Sequence, residues 1–192
     1  MGKLFILCAL LFQLLSPVYS QQTATDVITP SMKYGKPTME ELKMTTYAPD
    51  TAATAVVLYS RNNARYDLLN NDFRLVYTYE IKIKVLKSEG ASYADIIIPY
   101  YSKERGGGTM KENITQLDAS AYNLEDGKIV RTKMKRDLVF EERLNKSYMQ
   151  IKFSIPAVRE GTVFEYKYQL NSDFYYSINH WEAQRSIPVI HT

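Results

Sequence analysis

The chain has 192 residues, of which 45% are hydrophobic and 12% aromatic, and its formal net charge is +3. So balanced a charge supplies no basic surface for nucleic acid. A single cysteine, Cys8, rules out an internal disulfide and any zinc site built on several thiolates.

Lys3 precedes an apolar run from Leu4 to Leu15, and Ser16-Pro17 breaks the run before Val18-Tyr19-Ser20 sets a cleavage spacing. These are the parts of a secretory signal peptide cut after Ser20. The run falls short of the roughly 20 residues that a membrane-spanning helix needs, and no transmembrane segment is expected in the mature chain. Removing the leader takes away Lys3 and Cys8, so the mature chain, Gln21 to Thr192, carries no cysteine and a charge of +2, the +3 less one lysine. Without thiols, its stability must come from a core, which about 170 residues can bury.

Gln21 to Pro37 is polar and unpatterned and reads as a flexible segment leading to a domain over 38–192. Thr38 with Glu41 has capping-box spacing and predicts a short helix through Leu42 to Met44. Asp50 caps a further turn over Thr51 to Ala53. From Ala55 the pattern becomes β. Ala55 to Ser60 is a continuous apolar run suited to a strand covered on both faces.

Phe73 to Val85 alternates without interruption, with Phe73, Leu75, Tyr77, Tyr79, Ile81, Ile83 and Val85 on one face and Arg74, Val76, Thr78, Glu80, Lys82 and Lys84 on the other. So regular a strand is expected at the centre of a sheet. Ser88-Glu89-Gly90 is a turn, and Asp95 to Tyr101 is a strand that Pro99 assigns to an edge or bulge. Arg105 to Thr109 is a glycine-rich connection; no Lys-Ser/Thr pair follows it to make a phosphate cradle.

Asp126-Gly127 is a hairpin signal between strands at Ile114 to Asn123 and Lys128 to Lys133. Leu138 to Glu142 continues the β pattern. In Ile151 to Asn171, the apolar positions Ile151, Phe153, Ile155, Phe164, Tyr166, Tyr168 and Leu170 alternate with polar ones around a break at Pro156 and Glu160-Gly161. This reads as one hairpin anchoring the core, with Lys152, Ser154, Glu165, Lys167 and Gln169 in water. Phe174 to Ile178 and His180 to Ile187 are the last expected strands, and Pro188 to Thr192 breaks off as another apolar segment starts, as at a fragment boundary. Many short strands, frequent turns and one or two helical turns define an all-β chain, a two-sheet antiparallel β-sandwich.

ELKMTTYAPDTAATAVVLYS, the strand ending IKIKVL, the turn NLEDGKIV, the segment IKFSIPAVREGTVFEYKYQL and the terminal WEAQRSIPV together resemble domain-of-unknown-function family 3857, from about Gly35 to Val189. The resemblance implies an immunoglobulin-like sandwich in exported proteins of Gram-negative bacteria, common in the Bacteroidetes, and places the chain in the periplasm or cell envelope. It also implies a transglutaminase-like domain as the usual following neighbour. The Cys-His-Asp set of that neighbour has no counterpart here.

Chemistry-bearing residues are few. His180 and His191 are the only histidines, and no nucleophile-elbow pattern accompanies them. The pairs Glu40-Glu41, Glu125-Asp126 and Glu141-Glu142 read as a helix start, a turn and a strand, and a calcium site at Asp126 lacks further oxygen ligands. Asn113 and Asn145 open glycosylation sequons of meaning only in a eukaryotic secretory route. No catalytic residue, metal or cofactor is expected. Tyr77, Tyr79, Tyr166 and Tyr168 fall on the core face, whereas Tyr100, Tyr101, Tyr175, Tyr176 and Trp181 come in or beside pairs that set rings on both sides of a strand. Those five either pack under loops or contact a partner. The expected function is a non-catalytic exported module that binds or positions a transglutaminase-like domain or another envelope protein. The alternatives are a carbohydrate-binding module using the aromatics and, furthest from the pattern, a hydrolase using His180.

Overall fold

The computed structural model describes residues 28–69, 71–102, 110–179 and 185–192. The leader, the 105–109 connection, His180 and Trp181 lie outside the described residues. The strands are β1 (Ala55–Leu69), β2 (Asp72–Val85), β3 (Asp95–Tyr101), β4 (Glu112–Glu125), β5 (Lys128–Lys133), β6 (Phe140–Arg143), β7 (Tyr148–Ser154), β8 (Val163–Ser172) and β9 (Val189–His191), and the one α-helix among the described residues is α1 (Met39–Lys43). They form a six-stranded sheet in the order β5-β4-β8-β2-β1-β9 and a three-stranded sheet in the order β3-β7-β6. Every pairing is antiparallel except that of β1 with β9, which is parallel at Val57–Val189 and Tyr59–His191.

Alternation along β2 does what its regularity demands. β2 lies between β1 and β8, and Leu75, Tyr77, Ile81, Ile83 and Val85 turn one face into the space between the sheets. Ala119, Ala121, Phe164, Tyr166 and Leu170 extend that face across β4 and β8, and Ile98, Tyr100, Ile151 and Phe153 close it from the small sheet. Each large side chain so buried stabilises by roughly 1.5–3 kcal/mol. Pro99 lies in β3, an edge of the small sheet, where its missing N–H breaks no ladder. The β4–β5 turn is tight because Asp126 and Gly127 both take positive φ, 47° and 73°.

Two expected elements take another form. Ile151 to Asn171 is not a hairpin, because β7 pairs with β3 and β6 while β8 pairs with β2 and β4. The intervening 155–162 carries the chain from one layer to the other. Ile155 N–H donates to Ala94 O, Gly161 N–H to Val85 O and Val85 N–H to Thr162 O. Ala157 and Gly161 turn the backbone at φ 60° and 84°. Both strands still direct their apolar side chains to one core, now from opposite sides. Phe174 to Ile178 is not a strand either, since it turns at Tyr175-Tyr176 beyond the end of β8.

The second face of the large sheet is not all wet. Val56, Leu58, Tyr122 and Val163 form a second apolar cluster there with Leu42, Ala53 and Leu86. Leu58 shares this face with Val56 by alternation, and a register shift between Val57 and Tyr59 pairs Tyr59 with Lys82 and turns its ring to the same side. α1 and the residues before it cover the cluster. The capping box is present in full, with Thr38 Oγ1 accepting from Glu41 N–H at 3.2 Å and Glu41 Oε2 accepting from Thr38 N–H at 2.8 Å. Part of the segment read as flexible is tied down as well, through Ser31, Tyr34 and Gly35.

Glu165, expected in water, is therefore fully buried, and so are Lys82 and Lys84 on the neighbouring strand. Lys82 Nζ donates to Ser31 O at 2.8 Å and lies 3.4 Å from Glu41 Oε1. Lys84 Nζ donates to Leu42 O at 2.7 Å and to Gly161 O at 2.5 Å. Glu165 Oε1 accepts from Gly35 N–H and from the Tyr122 hydroxyl. Burial holds the Lys84 ammonium down to about 8 and pushes the Glu165 carboxyl up. A period-two pattern puts these side chains on the second face; only the overlying segment decides that the face is dry.

Candidate interaction surfaces

Two outward surfaces carry more apolar area than a solvated sheet requires. One lies past the ends of β2 and β8. Tyr175 and Tyr176, half-exposed and largely exposed, occupy the turn there. Phe73, expected in the core, sits on β2 beyond the last residue that β8 pairs and is 57% exposed. Its ring lies 6.3 Å from that of Tyr175, and Tyr175 meets Tyr176 at 5.8 Å and 78°. Phe174 links this group to Tyr101 at 5.1 Å and 85°, and Tyr101 links in turn to Tyr148 at 5.5 Å and 89°. Edge-to-face contacts of this kind fix ring orientation as well as bury area. The Tyr66 hydroxyl donates to Tyr175 O at 3.1 Å and holds the turn against β1.

Tyr100 does not belong to this group. Strand alternation turns it inward, where it is 6% exposed, and its hydroxyl donates to Glu141 Oε1. Burial and that carboxylate push its ionisation far above the ordinary phenol range. Tyr100 is thus a core residue and cannot contact a partner. Of the expected contact residues, the structure brings Tyr101, Tyr175 and Tyr176 together.

The other surface is the outward face of the small sheet. Ile97 and Phe140 both pair in register with Lys152, so an aliphatic chain, an ammonium stem and an aromatic ring stand in one row across three strands. Ile97 is 58% and Phe140 63% exposed. With Leu138 from the 3-10 turn Arg136–Leu138 they border an apolar groove of about 450 Å³. Lys152 Nζ is ion-paired with Glu142, which also accepts from Gln150 Nε2 at 2.6 Å; these partners hold the Glu142 carboxyl below its usual range.

The remaining candidates are accounted for locally. Glu41 caps α1, Glu125 pairs with Arg159 at 3.0 Å, and Asp126 is in the β4–β5 turn. Asn145 Oδ1 accepts from Ser147 and Tyr148 N–H in a turn before β7. His191 is exposed at the end of β9. Tyr79 stacks on Tyr168 at 4.7 Å and 19°, and burial pushes its hydroxyl up to about 12. Among the described residues, no group of three or more His, Cys, Asp or Glu is placed to hold a metal ion, and no helix is long and apolar enough to cross a membrane.

No family model matches the sequence, and no curated protein matches it. Among solved structures, the chain is similar to one described as a "putative protease" from Parabacteroides distasonis, at 12% identity and a TM-score of 0.41. That likeness covers 62% of this chain and 23% of the other, so this chain spans less than a quarter of its length.

Proposed function

We propose that this chain is a non-catalytic binding module that docks a folded protein domain through the outward face of its small sheet. The observation that carries this reading is the row Ile97–Lys152–Phe140 beside the Leu138 groove. Two large apolar side chains on a rigid strand surface lose most of their remaining hydration when a partner covers them, at roughly 25 cal/mol per Å² of apolar surface. Strands also hold them still, which reduces the ordering cost of association. Lys152, between them, adds its aliphatic stem to that surface, and Glu142 neutralises its ammonium.

The partner is a transglutaminase-like domain, as the resemblance to domain-of-unknown-function family 3857 suggests, and the same resemblance with the Lys3–Ser20 leader supports export to the periplasm or cell envelope of a Gram-negative bacterium. The test is a pull-down and calorimetric titration of the mature chain with such a domain from the same genome. Binding that is lost in Ile97→Asp/Phe140→Asp is the expected result. Absence of binding, or binding indifferent to that double substitution, overturns the docking face.

A further inference from the structure

The aromatic end of the molecule has a composition unlike that of the small-sheet face, and it encloses a cleft. Phe73, Tyr175 and Tyr176 line a depression of about 560 Å³, within the size range of small-ligand sites. Four charged residues, Asp72, Arg74, Lys111 and Asp173, line it with the rings. Their formal charges cancel, two positive against two negative.

The polar part of the cleft is built rather than loose. Asp173 Oδ1 lies 3.1 Å from Arg74 Nε, its Oδ2 accepts from Lys111 N–H at 3.1 Å, and Asp173 N–H donates to Lys111 O at 3.1 Å. Arg74 is fixed by its place on β2 and Asp173 by its place just after β8. The aromatic part is braced too, by the ring contacts that run from Phe73 through Tyr175 to Tyr176.

Charged donors and acceptors held among exposed rings are a poor core for a protein interface, which is depleted of charge at its centre. They are an equally poor anion site, because Asp72 and Asp173 oppose any net negative ligand. A ligand suited to the cleft is uncharged, carries many hydroxyls to exchange hydrogen bonds with guanidinium and carboxylate, and has flat C–H faces to lie on rings. We propose that this cleft binds a neutral carbohydrate, with Tyr176 and Phe73 as stacking surfaces and Arg74 and Asp173 as the hydrogen-bonding pair. It is separate from the protein-docking face, sharing no residue with the Ile97–Phe140 row.

The mature chain, Gln21 to Thr192, is screened on a panel of neutral, acidic and amino glycans, and any positive is titrated by calorimetry. The expected result is binding to a neutral glycan, weakened about tenfold or more by Tyr176→Ala and by Phe73→Ala and unchanged by Ile97→Asp/Phe140→Asp. Tyr176 and Phe73 are largely exposed, so both variants keep the fold, and their thermal unfolding serves as the check. Binding to acidic glycans only, no binding at all, or binding that survives both aromatic substitutions overturns the proposal. A protein partner lost on Tyr176→Ala in place of a glycan overturns it equally. None of these outcomes bears on docking through the small sheet, which the Ile97/Phe140 variant reports separately.

Discussion

Lys82 and Glu41 face each other across the boundary between the large sheet and α1, 3.4 Å apart and with neither side chain exposed. Each also holds backbone, Lys82 the carbonyl of Ser31 and Glu41 the N–H groups of Ser31 and Thr38. Removing one partner strands the other charge away from water. Lys82→Met should destabilise by about 3–5 kcal/mol, and the double variant Lys82→Met/Glu41→Gln should lose less than the two single losses added. Urea unfolding of all three variants, read as a double-mutant cycle, measures the coupling. Strict additivity would mean that the pair contributes nothing beyond its separate parts.

Lys84 gives the same interface a pH dependence. Burial lowers its pKa from 10.5 to about 8, so between these values the unfolded chain binds more protons than the folded one. Stability linked to this group therefore rises as pH increases from about 8 toward 10 and stays at its lower level below that window. Lys84→Met removes the titration. The difference in unfolding free energy between the parent and Lys84→Met should shift in favour of the parent from pH 7.5 to 9.5.

Gly90 is required for space. A Cβ there would lie 2.3 Å from Thr54 O, and that oxygen already accepts from Leu86 and Lys87 N–H at 2.9 and 3.0 Å. It cannot retreat without breaking both bonds. Gly90→Ala should cost about 1–3 kcal/mol. Gly127→Ala is the contrast: nothing lies within 4 Å of its added methyl, and its cost, arising from the φ of 73°, should be about 1–2 kcal/mol. Thermal unfolding of both variants compares a steric cost with a purely conformational one.

Substitutions on the small-sheet face should behave differently. Ile97→Asp and Phe140→Asp place charge where the parent residues are already more than half exposed, so stability should move by no more than about 0.5 kcal/mol. A fall of several kcal/mol in either variant, read by urea unfolding, would show that the row is core rather than contact surface.

The strands were legible because their side chains alternate, and the β2 face from Leu75 to Val85 and the Asp126-Gly127 turn stand where the pattern puts them. What pattern cannot convey is what lies over a face. Lys82, Lys84 and Glu165 occupy polar positions in the alternation, yet a segment distant in sequence removes them from water and supplies carbonyls and N–H groups in its place. The same limit explains Phe73, whose position in the alternation is apolar but whose strand outruns its neighbour. Sheet membership is equally invisible locally: Phe153 and Phe164 share a core whether their strands are adjacent or opposed. At the aromatic end, paired rings pointed to Tyr175 and Tyr176, while Arg74, Lys111 and Asp173 carried no local signal, since only the meeting of β2, β4 and β8 assembles them.

The hydrogen bonds from Ser31, Tyr34 and Gly35 onto the large sheet bear on where an independent folding unit begins. A shortened chain starting at the helix cap, Thr38, would keep every strand yet deprive Glu165 of its backbone donor and Lys82 of its carbonyl acceptor. Such a fragment would expose ionised groups and greasy surface side by side, and poor solubility would be its first symptom. Expression limits set a few residues upstream of Ser31 avoid that outcome.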